Sequence, residues 1–256
     1  MIVIDQADGS LLVVAQPDHA RTCAQIMQAW RKPLSLKSVW RRVIDAADHH
    51  DDGWRDVERH PTFRPDGRPH DFKSVPTEGH VAIWRESIEA ATRRDAYVGL
   101  LMALHARWLY TALPTNHAED TAVAQAFVDE LANRIDDLID AIRNREEVPA
   151  GVLKPSSLLM AQRLISFTDA LSLALLGAIT LDKTEPLGFG DAAGPLIVRR
   201  DGEGVVISPW PFTGESVVLM TEARCVPIAR FDGAAAFLRA IEATPAHALS
   251  WTLRPD

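Results

Sequence analysis

The stretch His49-His50-Asp51-Asp52-Gly53-Trp54 sets imidazoles and carboxylates side by side where an amphipathic helix runs out. Neutral imidazole nitrogen and carboxylate oxygen together suit divalent ions such as Fe, Mn, Zn, Ni or Mg, and a set without thiolates disfavours a structural zinc cluster. Adjacent His50 and Asp51 reach one ion from a frayed helix end, and a carboxylate can bridge two. Gly53 is expected to let the backbone turn sharply after them. Alone, the His-Asp pair reads more readily as a solvated helix end.

Four further residues strengthen the metal reading once the elements that carry them are placed. A helix starting near Pro17 has Cys23, Ile26 and Trp30 at helical spacing, with His19 on the same stripe. From Leu36 to Asp51 the stripe Leu36, Trp40, Val43, Ala47 leads to His50. His80 heads the stripe Ile83, Trp84, Ser87, Ala91. His105 lies among Val98, Leu101, Met102 and Leu109. Four histidines thus face inward from four successive helices. Asp169 sits in Leu164–Leu176, a run apolar enough to be buried on most sides. An isolated ionised carboxylate there is costly unless paired or bound to a cation. An ion pair with Arg163, or a wet groove, is the alternative.

The order His19, His50-Asp51, His80, His105, Asp169 resembles the HD-domain superfamily of metal-dependent phosphohydrolases. The gaps of 31, 30 and 25 residues between successive histidines are similar to those of its binuclear cyclic-dinucleotide phosphodiesterase branch. Trp54 stands where that branch has lysine, and Ala106 follows His105 where the branch pairs two histidines. The same ligand order is similar to the di-iron oxygenases of the superfamily. Gln16-Pro17-Asp18-His19 and His50-Asp51-Asp52-Gly53-Trp54 also look like a bacterial family with a domain of unknown function, over nearly the whole chain. The superfamily resemblance implies a phosphomonoester or phosphodiester hydrolase. It implies one ion on His19, His50, Asp51 and Asp169, and a second on bridging Asp51 with His80 and His105. Asp51, Asp52 and Asp18 are the candidates for catalytic or positioning roles. The rival expectations are a di-iron oxygenase and a non-catalytic, metal-stabilised binding protein.

Composition bounds the rest. The chain has 256 residues, 47% hydrophobic and 24% charged, which suits one large domain or one with an appended lobe. A net charge of −8 leaves no basic stripe for nucleic acid. The expected partner is a small phosphorylated molecule, with self-association into a homo-oligomer left open. Two cysteines, Cys23 and Cys225, make no disulfide framework, and with no signal peptide the expected location is the cytoplasm. The longest apolar run, near Ala170 to Leu181, is expected to be too short to span a bilayer.

The first 15 residues read as a hairpin, with Ile2–Ile4 and Leu11–Val14 flanking an Asp8-Gly9 turn. Residues 55–76 lack a period and read as a lid or substrate-contacting loop; its Arg59, His60, Arg64, Arg68 and Lys73 are candidate anion contacts, though most of them read more readily as solvated loop charges. Phe127, Leu131, Ile135, Leu138 and Ile142 mark a helix over 119–147, with Glu130, Asp136, Asp137 and Asp140 on its solvated face. Pro149 and Pro155 bracket a linker, and Ser156 is expected to cap the helix bearing Asp169. From about Leu187 the pattern alternates. Strands are expected at 196–198, 205–207, 217–220, 226–228 and 247–253, a hairpin turn at 201–204 and a helix at 234–243. The expected fold class is α+β in a single domain: a predominantly helical HD-like core over 16–185, with a small antiparallel β lobe from 1–15 and 187–256. Nucleophile-elbow, Walker and dinucleotide-binding fingerprints are absent, and Gly188-Phe189-Gly190 is a lone glycine pair. Trp54 and Trp210 are expected at a pocket mouth, and Trp30, Trp40, Trp84 and Trp108 in the core.

Overall fold

The computed structural model describes residues 1–112, 121–180, 196–201 and 204–256. Gly188-Phe189-Gly190, the onset of alternation at Leu187 and the middle of the 201–204 turn fall outside these residues. The class is α+β. Strands β1 (Ile2–Asp5) and β2 (Leu11–Val14) form the N-terminal hairpin, and helix α1 (Gln16–Ala29) follows directly, with Pro17 in its first turn. A 3-10 segment (Leu34–Val39) precedes α2 (Trp40–His49), so the stripe from Leu36 is carried by two elements rather than one helix. Helix α3 (Trp54–Arg59) replaces the first part of the expected loop. Its six residues are too few to show a period.

Helices α4 (Thr77–Arg94) and α5 (Ala96–Ala112) form a hairpin. Asp95 closes it, its carboxylate accepting from the backbone N–H groups of Tyr97 and Val98 at 2.9 and 3.3 Å. Helix α6 (Thr121–Asn144) buries Phe127, Leu131, Ile135, Leu138 and Ile142, and its acidic residues face solvent as expected. Helix α7 (Pro155–Leu176) begins at Pro155 itself, with no side-chain cap. Ser156 is inside the helix, and Ser157 bonds the Gly151 carbonyl instead. At its far end Gly177 takes φ 82°. The N–H of Gly177 bonds to Ala174 and that of Ala178 to Leu173, a Schellman closure open to glycine at no steric cost.

Among the described residues α7 alone is long and apolar enough to cross a membrane, which differs from the short apolar run expected; 72% of its apolar window is buried within the fold. It is the central core helix. Helices α1, α2 and α5 pack on it, and α2 packs on both α1 and α5.

Strands β3 (Ile197–Asp201), β4 (Gly204–Ser208), β5 (Val217–Val226) and β6 (His247–Pro255) join the hairpin in one sheet of order β1-β2-β5-β6-β4-β3, and α8 (Ala234–Ala243) connects β5 to β6. The two chain ends do meet: Leu11 of β2 pairs with Val226 of β5. Residues 217–220 and the first of 226–228 belong to one ten-residue strand, not two. The sheet is mixed, because β6 enters between β4 and β5 and runs parallel to β4. Local sequence carries no signal for such an insertion. One hydrophobic cluster runs from the helices into β4, β5 and β6 through Val205, Ile207, Leu219 and Leu253.

Candidate metal centre

The chain reversal after α2 sets the first two ligand residues. His50 to Gly53 wind through tight turns, with Asp52 N–H bonded to His49 O and Trp54 N–H to Asp51 O. The chain turns sharply here as expected, with Gly53 at φ −62° rather than in the left-handed region. The role of the glycine is close approach. A Cβ there would lie 2.2 Å from the Ile83 carbonyl and 2.7 Å from Ser87 Oγ, and its N–H bonds Ser87 Oγ at 2.8 Å. The turn is thereby pressed onto α4, and His50 and Asp51 are held inward, 2% and 6% exposed.

Three histidines are aimed in the same manner. His19 Nδ1 is tied to Ser172 Oγ at 2.8 Å, His50 Nδ1 to the Ala47 carbonyl at 2.9 Å and His105 Nδ1 to Ser166 Oγ at 2.9 Å. Each Nε2 is left to face Asp169. His19 Nε2 lies 3.0 Å from Asp169 Oδ1, His50 Nε2 3.9 Å from the same oxygen, and His105 Nε2 3.5 Å from Oδ2. Asp51 Oδ2 is 3.3 Å from His50 Nε2 and 3.9 Å from His19 Nε2. Donors about 2.0–2.2 Å from a tetrahedral ion sit about 3.3–3.5 Å from one another. The observed spacings bracket that value. His105 Nε2, fully buried, has no hydrogen-bond partner, an omission that a cation would repair.

Electrostatics point the same way. Burial pushes both carboxyls up. At Asp169 the facing imidazoles of His105, His19 and His50 outweigh burial and hold it well below the usual carboxylate range. Burial prevails at Asp51, helped by the negative charge of Asp169, and its pKa is pushed up to about 7 despite His19. Two carboxylates in one dry pocket cannot both stay ionised without a cation between them. Among the described residues no arginine pairs with Asp169; its partners are imidazoles.

Buried groups of His, Cys and Asp are therefore positioned to bind a metal ion. One set is His50, His105 and Asp169; the other is His19, Cys23 and His50, each with donor atoms within 4.8 Å of one another. Cys23 belongs to this neighbourhood although its place on an apolar stripe gave no hint of it. The signal was its spacing, four residues after His19 on the same helix. Ser166 and Ser172, three residues either side of Asp169, carried a similar unread signal.

His80 stands apart from both sets. Its Nδ1 meets the Tyr110 hydroxyl at 2.7 Å, and its ring packs near Trp54 and Trp84. It lines the same cavity, about 140 Å³, whose walls also include Gln16, Phe72, Trp108 and Leu173. Asp52 and Asp18 are not at the centre. Asp52 bonds His49 at 2.9 Å and Arg55 at 2.8 Å, with Arg94 at 3.2 Å. Burial opposes its ionisation, but these partners prevail and bring its pKa down to about 2. It orients the half-exposed His49, not a buried imidazole. Asp18 pairs with Arg21 and lines other cavities, beside Glu222.

The 55–76 segment contributes Phe72 to the cavity and no cation. Arg64 pairs with Asp66, Arg68 with Asp5, and Lys73 with the Ala178 carbonyl. Among the described residues no lysine or arginine lines the cavity. Trp54 is in its wall, buried rather than at a mouth, while Trp210 packs on Phe212 elsewhere.

No curated protein and no solved structure matches the chain. A family model described as a protein of unknown function (DUF3891) matches residues 1–228, which include every residue of the centre. The chain belongs to the DUF3891 family.

Proposed function

We propose that the protein is a metal-dependent hydrolase whose centre holds one divalent ion on His19, His50, His105 and Asp169, with Asp51 beside it. The observation that carries this reading is the common arrangement of the three imidazoles. Each is fixed through Nδ1 and offers Nε2 to a shared carboxylate, the outer-sphere pattern that orients metal-binding histidines. One ion is favoured over two, because His50 has a single nitrogen left to give and His80 is outside both donor sets. A bound ion of this kind lowers the pKa of a water and polarises the bond to be cleaved.

The chain's own residues do the rest. Asp51 is placed to hold or release a proton beside His50. His80, braced by Tyr110, faces the same cavity and is the acid–base group that Asp52 and Asp18 are too remote to be. Phosphoesters are the substrate class that the sequence resemblance suggests. The test is hydrolysis by protein stripped with chelator and reloaded separately with Mn, Fe, Zn or Mg, across phosphomonoesters and phosphodiesters. Turnover that depends on the added ion and vanishes in His50→Ala is expected. Absence of turnover with every ion would overturn the reading.

A second reading, a metal-stabilised binding protein, is favoured by the apolar cavity wall and its lack of cations. It predicts that His50→Ala lowers the melting temperature while the loaded wild type turns nothing over. The di-iron alternative loses support with His80 outside the donor sets.

A further inference from the structure

Resting on the metal reading above, we infer that Cys23 is a ligand of the same ion, so that the centre selects a thiophilic metal such as Zn, Fe, Co or Ni over Mg or Ca. Cys23 and His19 are four residues apart on α1, a spacing that stacks two side chains on one helical face. Cys23 Sγ lies 3.9 Å from His19 Nε2, the nitrogen that also faces Asp169 and Asp51. With His50 it completes one of the two donor sets, and both sets share His50. Since His50 Nδ1 is committed to the Ala47 carbonyl, its remaining nitrogen serves one ion. The two sets are therefore two sides of a single coordination sphere. His105 Nε2, buried without a hydrogen-bond partner, belongs to the other set.

Cys23 is fully buried, and besides its approach to His19 its thiol donates a weak bond, 3.4 Å to the Thr168 carbonyl. Thiols are poor donors, so surrendering that bond costs little. On coordination the Sγ–H bond breaks, an Sγ–metal bond forms, and the proton leaves to solvent; nothing is oxidised or reduced. Thiolate ligands select Zn, Fe and similar ions, whereas carboxylate and water suit Mg, Ca and Mn.

Cobalt(II) titration of the full chain, followed by absorption spectroscopy, tests this without reference to activity. The expected result is a thiolate-to-cobalt charge-transfer band together with the ligand-field bands of a protein-bound ion. Cys225→Ser should keep the charge-transfer band. Cys23→Ser should lose it, keep the ligand-field bands and bind cobalt at least about tenfold more weakly. Ligand-field bands without charge transfer in the wild type would overturn the role of Cys23 while leaving the centre in place. No protein-bound cobalt spectrum at all would overturn the centre and, with it, this inference.

Discussion

His19 Nε2 and Asp169 Oδ1 lie 3.0 Å apart across 150 residues of chain, and this contact joins the first helix to the central one at the heart of the molecule. Around it gather His50, His105 and Asp51, from a turn and a third helix. A site built in this way is only as precise as the bonds that hold its imidazoles, and several consequences can be measured.

Ser166 and Ser172 should act through the histidines they hold. Ser166→Ala and Ser172→Ala each remove the partner of an Nδ1 and free the ring to turn. Metal affinity should fall about 10–100-fold in each, read by competition with a chromophoric chelator. The loss of stability in metal-free protein should be about 1–2 kcal/mol. Unchanged affinity in both variants would mean that the serines do not orient ligands.

Asp51 should destabilise the metal-free fold in a pH-dependent way. Its folded pKa of about 7 lies above the ordinary value of about 3.9. Between those values the folded protein keeps a proton that the unfolded chain has released, so stability falls as pH rises from about 4 to about 7 and is flat above. Asp51→Asn in chelator should therefore gain on wild type across that window, reaching about 1 kcal/mol or more, which is about 2–4 °C for a chain of this size. Thermal melts at pH 5 and pH 8 give the comparison. Equal melting temperatures of the two proteins at pH 8 would count against the crowding of charge.

How much of this was legible beforehand depends on the range of the signal. His19, His50, Asp51, His105 and Asp169 were readable because each lies on a local apolar stripe or breaks one, and a buried polar residue needs a reason. His80 satisfies the same rule and lines the same cavity but lies outside both donor sets, since facing inward does not say which inner neighbour a side chain meets. Here that neighbour is Tyr110. Cys23 was passed over because a thiol is also an ordinary core residue. The hairpin, most strands and α8 followed from alternation and turns, whereas the parallel pairing of β4 with β6 depends on which strand enters a gap, a fact no local window contains. The turn at Gly53 is legible in the sequence, whereas its closeness to the Ile83 carbonyl is a long-range fact: glycine here gives space, not freedom to φ.

That closeness is itself testable. Gly53→Ala forces a carbon to within 2.2 Å of a backbone oxygen, so α4 or the His50–Gly53 turn must shift. A loss of about 1–3 kcal/mol is expected in chemical denaturation, together with weakened metal binding. A variant as stable as wild type would show that the turn is not pressed on α4.

Asp52 and Asp18 provide the controls. Asp52→Asn breaks a half-buried contact with His49 and exposed ones with Arg55 and Arg94, and Asp18→Asn breaks one with Arg21. Neither should change metal affinity by more than about twofold, and each should cost about 1 kcal/mol or less. A tenfold loss of affinity in either would place it functionally at the centre from which the geometry separates it.

The claim on which the account turns is that one ion sits among His19, His50, His105 and Asp169. Elemental analysis of protein purified without added metal, alongside His50→Ala and Asp169→Asn, measures it most directly. The account predicts close to one equivalent of a divalent transition metal in the wild type and almost none in either variant. A metal-free wild type that also fails to take up added ions, or variants that retain the full equivalent, would contradict it.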